Sequence, residues 1–245
     1  MPYELGLEVM AHDINTHREA SPSSIVKYLQ EAVDRNLKEC RPTYEELLEQ
    51  NLSFIVSRTA LKIYSPLKEY DKITVQTWAT EGKSAAFMRN YRILCDGKPA
   101  AECVMTWALL DIKEHRLLRG SEFDVSSYGT GELLNLDMPS RFRINKDAVL
   151  TKCREKRVYY SDIDRNQHMN NVKYFDLLFD CIPNCENVRM TSCILNYVNE
   201  ATYGKLIEIY SLPVEVLENG EKAYSFITKI DGETNVEARF TVTDI

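Results

Sequence analysis

The chain has no apolar run close to the roughly 18 residues that a membrane-spanning helix needs. The longest candidate, Cys103–Leu110, is interrupted by Thr106, so no membrane span is expected. Its amino terminus, Met1-Pro-Tyr-Glu-Leu-Gly6, lacks the basic and apolar regions of a secretory leader, which points to a cytoplasmic protein. Positive charge is in deficit: 30 Lys and Arg against 37 Asp and Glu leave a formal net charge of −7. Such a chain is too acidic for nucleic acid to be its main partner, because neutralising phosphates takes a basic surface. Its 7 cysteines are odd in number and form no Cys-x-x-Cys pair, so they read as reduced thiols and not as a disulfide frame or a zinc site. The sequon Asn51-Leu-Ser53 is then accidental. The histidines, His12, His17, His115 and His168, show no ligand spacing, and no metal is expected. Gly129-Thr-Gly131 is too short a match to suggest nucleotide binding.

What is present is ordered and patterned. With 44% hydrophobic and 27% charged residues, the 245-residue chain suits one large soluble domain or two of about 120 residues each. Ser21-Pro22 reads as the N-cap and first residue of a helix that puts Ile25, Tyr28, Leu29, Ala32, Val33 and Leu37 on one face and runs to about Cys40. Thr43 and Glu46 form a capping box for a short second helix through Leu47 and Leu48. Four β-rich runs follow, Phe54–Tyr64, Lys72–Thr80, Ala86–Leu94 and Ala101–Ile112, punctuated by Pro66, Gly82 and the hairpin signal Asp96-Gly97. Lys113–Leu150 has Gly120, Gly129, Gly131 and Pro139 and few periodic apolar positions, and reads as a linker. The pattern then restarts with a strand-like Arg157–Tyr160, a polar loop, a helix to about Cys181, and runs near Met190–Val198, Leu206–Val216, Ala223–Ile230 and Val236–Val242.

Residue matches turn this likeness into an internal repeat. Val26-Lys27-Tyr28 recurs as Val172-Lys173-Tyr174, Tyr70 and Lys72 recur as Tyr203 and Lys205, Asp96-Gly97 as Asp231-Gly232, and Glu102 as Glu237. The offset falls from 146 to 133, as it would if the second half lacked the short helix. Each half, a long helix against a bent antiparallel sheet, resembles a hotdog domain. The expected class is therefore α+β, a double hotdog, with domains at 1–120 and 151–245 and a linker over 121–150.

Between the strand-like segment and the helix of the second half lies Ser161-Asp-Ile-Asp-Arg-Asn-Gln-His-Met-Asn-Asn-Val-Lys-Tyr174. If extended, it projects Asp164, Asn166 and His168 from one face. Asn170 or Asn171 can cap the helix that follows, whose first free N–H groups then face the same pocket. At offset 146 the polar set is replaced in the first half by Arg18, Ala20 and Pro22. Glu200, at the end of the run Ile194–Val198, is replaced at offset 133 by Leu67. One working half and one silent half follow from that contrast.

Tyr160-Ser-Asp-Ile-Asp-Arg-Asn-Gln-His-Met-Asn-Asn-Val-Lys-Tyr174 resembles the signature of the acyl-acyl carrier protein thioesterases of plants and bacteria. The resemblance extends over essentially the whole chain, including Trp107-x-Leu109-x-Asp111 with Arg116 and Arg119, and Asn196-Tyr-Val-Asn-Glu200. It implies a double hotdog whose C-terminal half is catalytic through Asp164, Asn166, His168 and Glu200. The implied reaction is hydrolysis of a fatty acyl-phosphopantetheine thioester on acyl carrier protein, without cofactor or metal. Plant members carry a cysteine just after the glutamate; here the position is Ala201, so a Cys–His nucleophile is not expected.

In the implied chemistry Asp164 attacks the carbonyl or positions water, and Glu200 with His168 forms the general base pair. Asn166 and N–H donors near the second helix would stabilise the oxyanion, where loss of one donor costs on the order of 100-fold. An acyl tunnel is expected in the first half, drawing on residues such as Phe54, Val56, Met88, Tyr91, Met105 and Trp107. An acidic carrier needs a local basic patch, for which the candidates are Arg141, Arg143, Lys152 and Arg154 in a stretch that also holds Lys146, Lys156 and Arg157, with Arg116 and Arg119 added. Other hotdog functions remain open: an acyl-thioester dehydratase or hydratase, an acyl-CoA thioesterase, or a non-catalytic acyl sensor. A homodimer also remains open.

Overall fold

Alternation and helical spacing set the elements of both halves. The computed structural model describes residues 1–80, 86–114, 116–119, 122–139, 141–145 and 147–245; Gly82, His115, Gly120 and Lys146 lie outside the described residues. The chain divides into two compact units, Met1–Ala20 with Ser24–Met138, and Ser21–Ser23 with Pro139–Ile245.

The first unit opens with β1 (Tyr3–Glu8), a strand not anticipated from the sequence, in which alternate residues are exposed. Helix α1 (Pro22–Glu39) starts at a proline, whose missing N–H is one of the unpaired groups of a first turn anyway. It buries Ile25, Tyr28, Leu29, Ala32, Val33 and Leu37, while Lys27, Glu31, Arg35 and Lys38 stay exposed. Each buried Leu or Val on that face contributes about 1.5–3 kcal/mol. Helix α2 (Tyr44–Glu49) has the expected capping box, with the Glu46 N–H donating to Thr43 Oγ1 (3.2 Å) and the Thr43 N–H to Glu46 Oε2 (2.7 Å).

Strands β2 (Leu52–Ile63), β3 (Lys72–Thr80), β4 (Ala86–Cys95) and β5 (Lys98–Asp111) coincide with the four expected runs to within a few residues, and β6 (Arg116–Leu118) pairs with β5. All neighbours are antiparallel in the order β1-β3-β4-β5-β2. Asp96 (φ 51°) and Gly97 (φ 73°) close the β4–β5 hairpin in the left-handed conformation that a two-residue turn requires. Residues 129–132 lie against the end of β3. The Ala79 N–H donates to Gly129 C=O (2.8 Å), the Gly131 N–H to Ala79 C=O (3.0 Å) and Trp78 Nε1 to Glu132 C=O (2.8 Å). Gly131 serves this close approach: a Cβ there would lie 2.7 Å from the Trp78 ring.

The second unit comprises β7 (Thr151–Arg157), α3 (Lys173–Phe179), β8 (Val188–Tyr197), β9 (Leu206–Ser211), β10 (Glu215–Val216), β11 (Lys222–Ile230) and β12 (Glu233–Asp244). Its order, β7-β9-β11-β12-β8 with β10 on β11, repeats that of the first unit, and Asp231 (φ 52°) with Gly232 (φ 86°) repeats the hairpin turn. Two expectations shift. The strand near Arg157–Tyr160 is instead the end of β7, because Tyr160–Asp162 fold into a 3-10 turn. Helix α3 stops at Phe179 and not near Cys181: the chain tightens through Cys181 N–H to Leu178 C=O (3.1 Å) and Ile182 N–H to Phe179 C=O (2.9 Å) ahead of Pro183, which disfavours α conformation before it. The core of this unit centres on Phe240, met edge-on by Phe175 and Phe226 with centroids 6.4 and 6.2 Å away. Among the described residues no helix is long and apolar enough to cross a membrane.

Candidate active site

The polar loop is anchored before it turns. Val158, fully buried, exchanges backbone hydrogen bonds with the segment leading to β9, donating to Lys205 C=O and accepting from the Gly204 N–H (both 2.9 Å). Asp162, 6% exposed, accepts from the Tyr159 N–H (2.9 Å) and Lys156 Nζ (2.7 Å). Burial pushes its carboxyl up, but the Lys156 ammonium and the Tyr159 N–H outweigh that and hold it below the usual carboxylate range.

From Ile163 to Met169 the chain is a tight reversal and not the extended run expected. The Asp164 N–H donates to His168 C=O (2.9 Å), the Gln167 N–H to Asp164 C=O (3.0 Å), and Gln167 takes φ 65°. Asp164 Oδ1 accepts the Asn166 N–H (2.8 Å), an Asx turn that sets Asn166 at the exposed tip. His168 bridges to Thr202, and the Met169 N–H donates to Ala201 C=O (2.8 Å). That pairing brings Glu200 to the histidine: His168 Nε2 and Glu200 Oε2 are 2.9 Å apart. The four sequence candidates thus fall into two pairs, Asp164 with Asn166 and His168 with Glu200, joined through the Asp164–His168 backbone bond. Three residues projecting from one face of a strand is corrected by this geometry.

The N–H donors expected at the start of α3 are also accounted for. The Val172 N–H goes to Asn170 Oδ1 and the Lys173 N–H to Asn170 C=O (both 2.9 Å), while Tyr174 and Phe175 donate to Asn171 and Val172 carbonyls. Asn170 therefore caps the turn before α3, and these groups are engaged in local hydrogen bonds.

The same reversal exists in the first unit, in a register three residues away from the one the Val-Lys-Tyr match suggested. Ile14 bridges Ala20 as Ile163 bridges Met169, and Glu19 bridges Lys68 as His168 bridges Thr202. Asp164, Asn166 and His168 therefore correspond to Asn15, His17 and Glu19, not to Arg18, Ala20 and Pro22. The Ala20 N–H donates to Leu67 C=O as that of Met169 does to Ala201, so Glu200 corresponds to Pro66 and not to Leu67. The signal was available as Asp13-Ile14 against Asp162-Ile163. The first unit keeps the turn and lacks the imidazole–carboxylate pair.

The basic candidates are mostly engaged. Arg116 holds Glu122 (2.9 Å), Arg143 holds Glu237 (3.0 Å), Arg154 holds Asp180 (3.4 Å), and Lys152 sits between Glu155 and Glu208, which raise its pKa. Arg141 is exposed, and neither it nor Arg119 carries such a pair among the described residues. Of the tunnel candidates, Phe54, Met88 and Trp107 line an apolar cavity of about 30 Å³ in the first unit, together with Val33 and Leu37 of α1 and Arg89. Tyr91 and Met105 are buried in the core. Arg89, 7% exposed, reaches Thr77 Oγ1 (3.0 Å) and Asn36 Oδ1, and burial lowers its pKa.

Comparison with known proteins bears on both halves. The profile of the acyl-ACP thioesterase N-terminal domain matches residues 2–125, and that of the acyl-ACP thioesterase C-terminal domain matches residues 146–243. A palmitoyl-acyl carrier protein thioesterase, chloroplastic, of Arabidopsis thaliana is 22% identical over 224 residues, 81% of this chain and 52% of that protein. The chain spans about half the length of the curated relatives it matches. Among solved structures, the 12:0-ACP thioesterase from Umbellularia californica has a TM-score of 0.85 at 17% identity, covering 100% of this chain and 94% of that one. An acyl-ACP thioesterase from Bacteroides thetaiotaomicron has a TM-score of 0.83 at 19% identity, with 98% and 97% covered. The fold is the double hotdog of those structures. With one profile on each half, the chain belongs to the acyl-acyl carrier protein thioesterase family.

Proposed function

We propose that this protein hydrolyses fatty acyl thioesters carried on the phosphopantetheine of an acyl carrier protein, releasing the free acid and the carrier thiol. The observation that carries the reading is the 2.9 Å contact between His168 Nε2 and Glu200 Oε2, present in the half matched by the C-terminal domain profile and missing from the equivalent turn of the other half. Water adds to the thioester carbonyl as the His168–Glu200 pair takes its proton, and the departing thiolate takes a proton back from the imidazolium. Asp164 orients the water: one of its oxygens is committed to the Asn166 N–H, in a turn that a neutral asparagine holds equally well in the first unit. The Asn166 amide serves the developing oxyanion.

The first half, residues 1–120, supplies the acyl site, and the catalytic half begins near residue 151. In the second unit an acidic carrier meets Arg141 first, since docking on Arg143, Lys152 or Arg154 must displace an internal carboxylate. Incubation with acyl-carrier and acyl-CoA thioesters of matched chain, followed by mass analysis of the acyl product, tests the reading: free acid supports hydrolysis, and an enoyl thioester would assign a dehydratase instead.

A further inference from the structure

Glu200 lies in the middle of a short segment, Val198–Thr202, that is fastened at both ends. On its far side are the Met169–Ala201 bond and the His168–Thr202 bridge; on its near side the Val198 and Asn199 N–H groups both donate to Asn235 C=O (2.8 and 3.1 Å). The first unit fastens its counterpart with the same backbone bonds. The Tyr64 and Ser65 N–H groups donate to Ala100 C=O (2.8 and 3.2 Å), and Pro66 stands where Glu200 does.

The side chains differ. Asn235 is 1% exposed and accepts at Oδ1 from the hydroxyls of Tyr174 on α3 and Thr228 on β11 (both 2.9 Å). Its Nδ2 donates to Asn199 C=O, the carbonyl of the peptide that leads into Glu200. Asn199 in turn donates from Nδ2 to Thr234 C=O (2.7 Å). In the hairpin register shared by the two units, Ile93 and Ala100 stand where Thr228 and Asn235 do, so the silent unit has the backbone clamp without the side-chain network. A buried amide of this kind costs free energy unless its groups are paired; here Oδ1 is held by two hydroxyls and Nδ2 by the carbonyl of the peptide that leads into Glu200.

We propose that Asn235 is a positioning residue: by gripping the Asn199 carbonyl it fixes the Glu200 peptide and so keeps the carboxylate at His168. This rests on the reading of His168 and Glu200 as the proton-transferring pair. The test is a double-mutant cycle read in kcat and KM. Asn235→Ala installs the residue that the first unit carries, and it should lower kcat by about 10-fold or more while moving KM by less than about twofold. In a Glu200→Ala background the same change should cost less than about twofold, because a residue that acts only through Glu200 has nothing left to position. Equal fractional losses in both backgrounds, or an unchanged kcat for Asn235→Ala, would overturn the inference alone. Wild-type turnover by Glu200→Ala would overturn the active-site reading and the inference with it. Should Asn235→Ala fail to fold, Thr228→Val decides: a loss in kcat of about threefold or more that vanishes without Glu200 supports the inference, and no loss contradicts it.

Discussion

Asn15 and Asp164 hold the same turn, one in each unit. Each accepts at Oδ1 the N–H two residues on, from His17 (2.9 Å) and Asn166 (2.8 Å), and each donates its own N–H to the carbonyl four residues on, of Glu19 (2.8 Å) and His168 (2.9 Å). The turn accepts an amide or a carboxylate, so the charge of Asp164 is not what shapes it. Asp164→Asn should therefore keep Tm nearly unchanged while kcat falls by roughly 100-fold or more. Wild-type turnover in this variant would reduce Asp164 to a turn residue.

His168→Ala and Glu200→Ala should each lower kcat by a comparable order. Because the two side chains act as one pair, the double variant should lose far less than the product of the single losses. Losses that multiply would mean the two groups work independently. Arg18→Ala, which removes the pair with Glu69 in the first unit, should leave turnover within about twofold, since such surface pairs contribute about 0–1 kcal/mol.

Docking of an acidic carrier predicts a split between substrates. Arg141→Glu should weaken kcat/KM for carrier-bound substrate by about threefold or more at low salt, less as salt rises, and spare an acyl-CoA of the same chain. Arg143 is a poor choice for this test, because reversing it would set a second carboxylate against the buried Glu237. Equal losses on both substrates would trace to the fold and not to docking.

The Asp162 carboxyl anchors the loop that carries Asp164 and His168 in a pH-dependent way. Its folded pKa lies below the unfolded value, so the stability it contributes is present above about pH 4 and is lost as pH falls through the folded pKa. Asp162→Asn forfeits the charge-assisted bonds to Lys156 and the Tyr159 N–H, and should destabilise by about 2 kcal/mol at pH 7. Denaturant unfolding measured across pH should show that gap closing below about pH 4, as the wild-type carboxyl protonates. A gap independent of pH would contradict the role.

Much of the fold was legible because its signals are local. The α1 face, the Thr43–Glu46 capping box and the two Asp-Gly turns are each written in a few neighbouring residues. The placement of residues 129–132 was not, because it rests on hydrogen bonds of Ala79 and Trp78 to backbone groups, which leave no periodicity. The reversal at Asp164 was hidden for a different reason: alternate polar residues suit a strand, but the Asx bond to Asn166 wins locally. The Val-Lys-Tyr match misplaced the first unit's loop by three residues, close to one helical turn, a shift that keeps an apolar helix face in phase. Asn235 had no signal of its own; only the contrast with Ala100, once the hairpins are in register, singles it out.

The most direct measurement is the acyl product released from a panel of acyl-carrier thioesters by the wild-type protein and by Glu200→Ala, read by mass. Reading the acyl product avoids interference from the protein's seven free cysteines in thiol assays. The account predicts free fatty acid in stoichiometry with carrier thiol from the wild type, and a rate lower by roughly 100-fold from the variant. Binding without turnover, an enoyl thioester as product, or equal rates from the two proteins would contradict it.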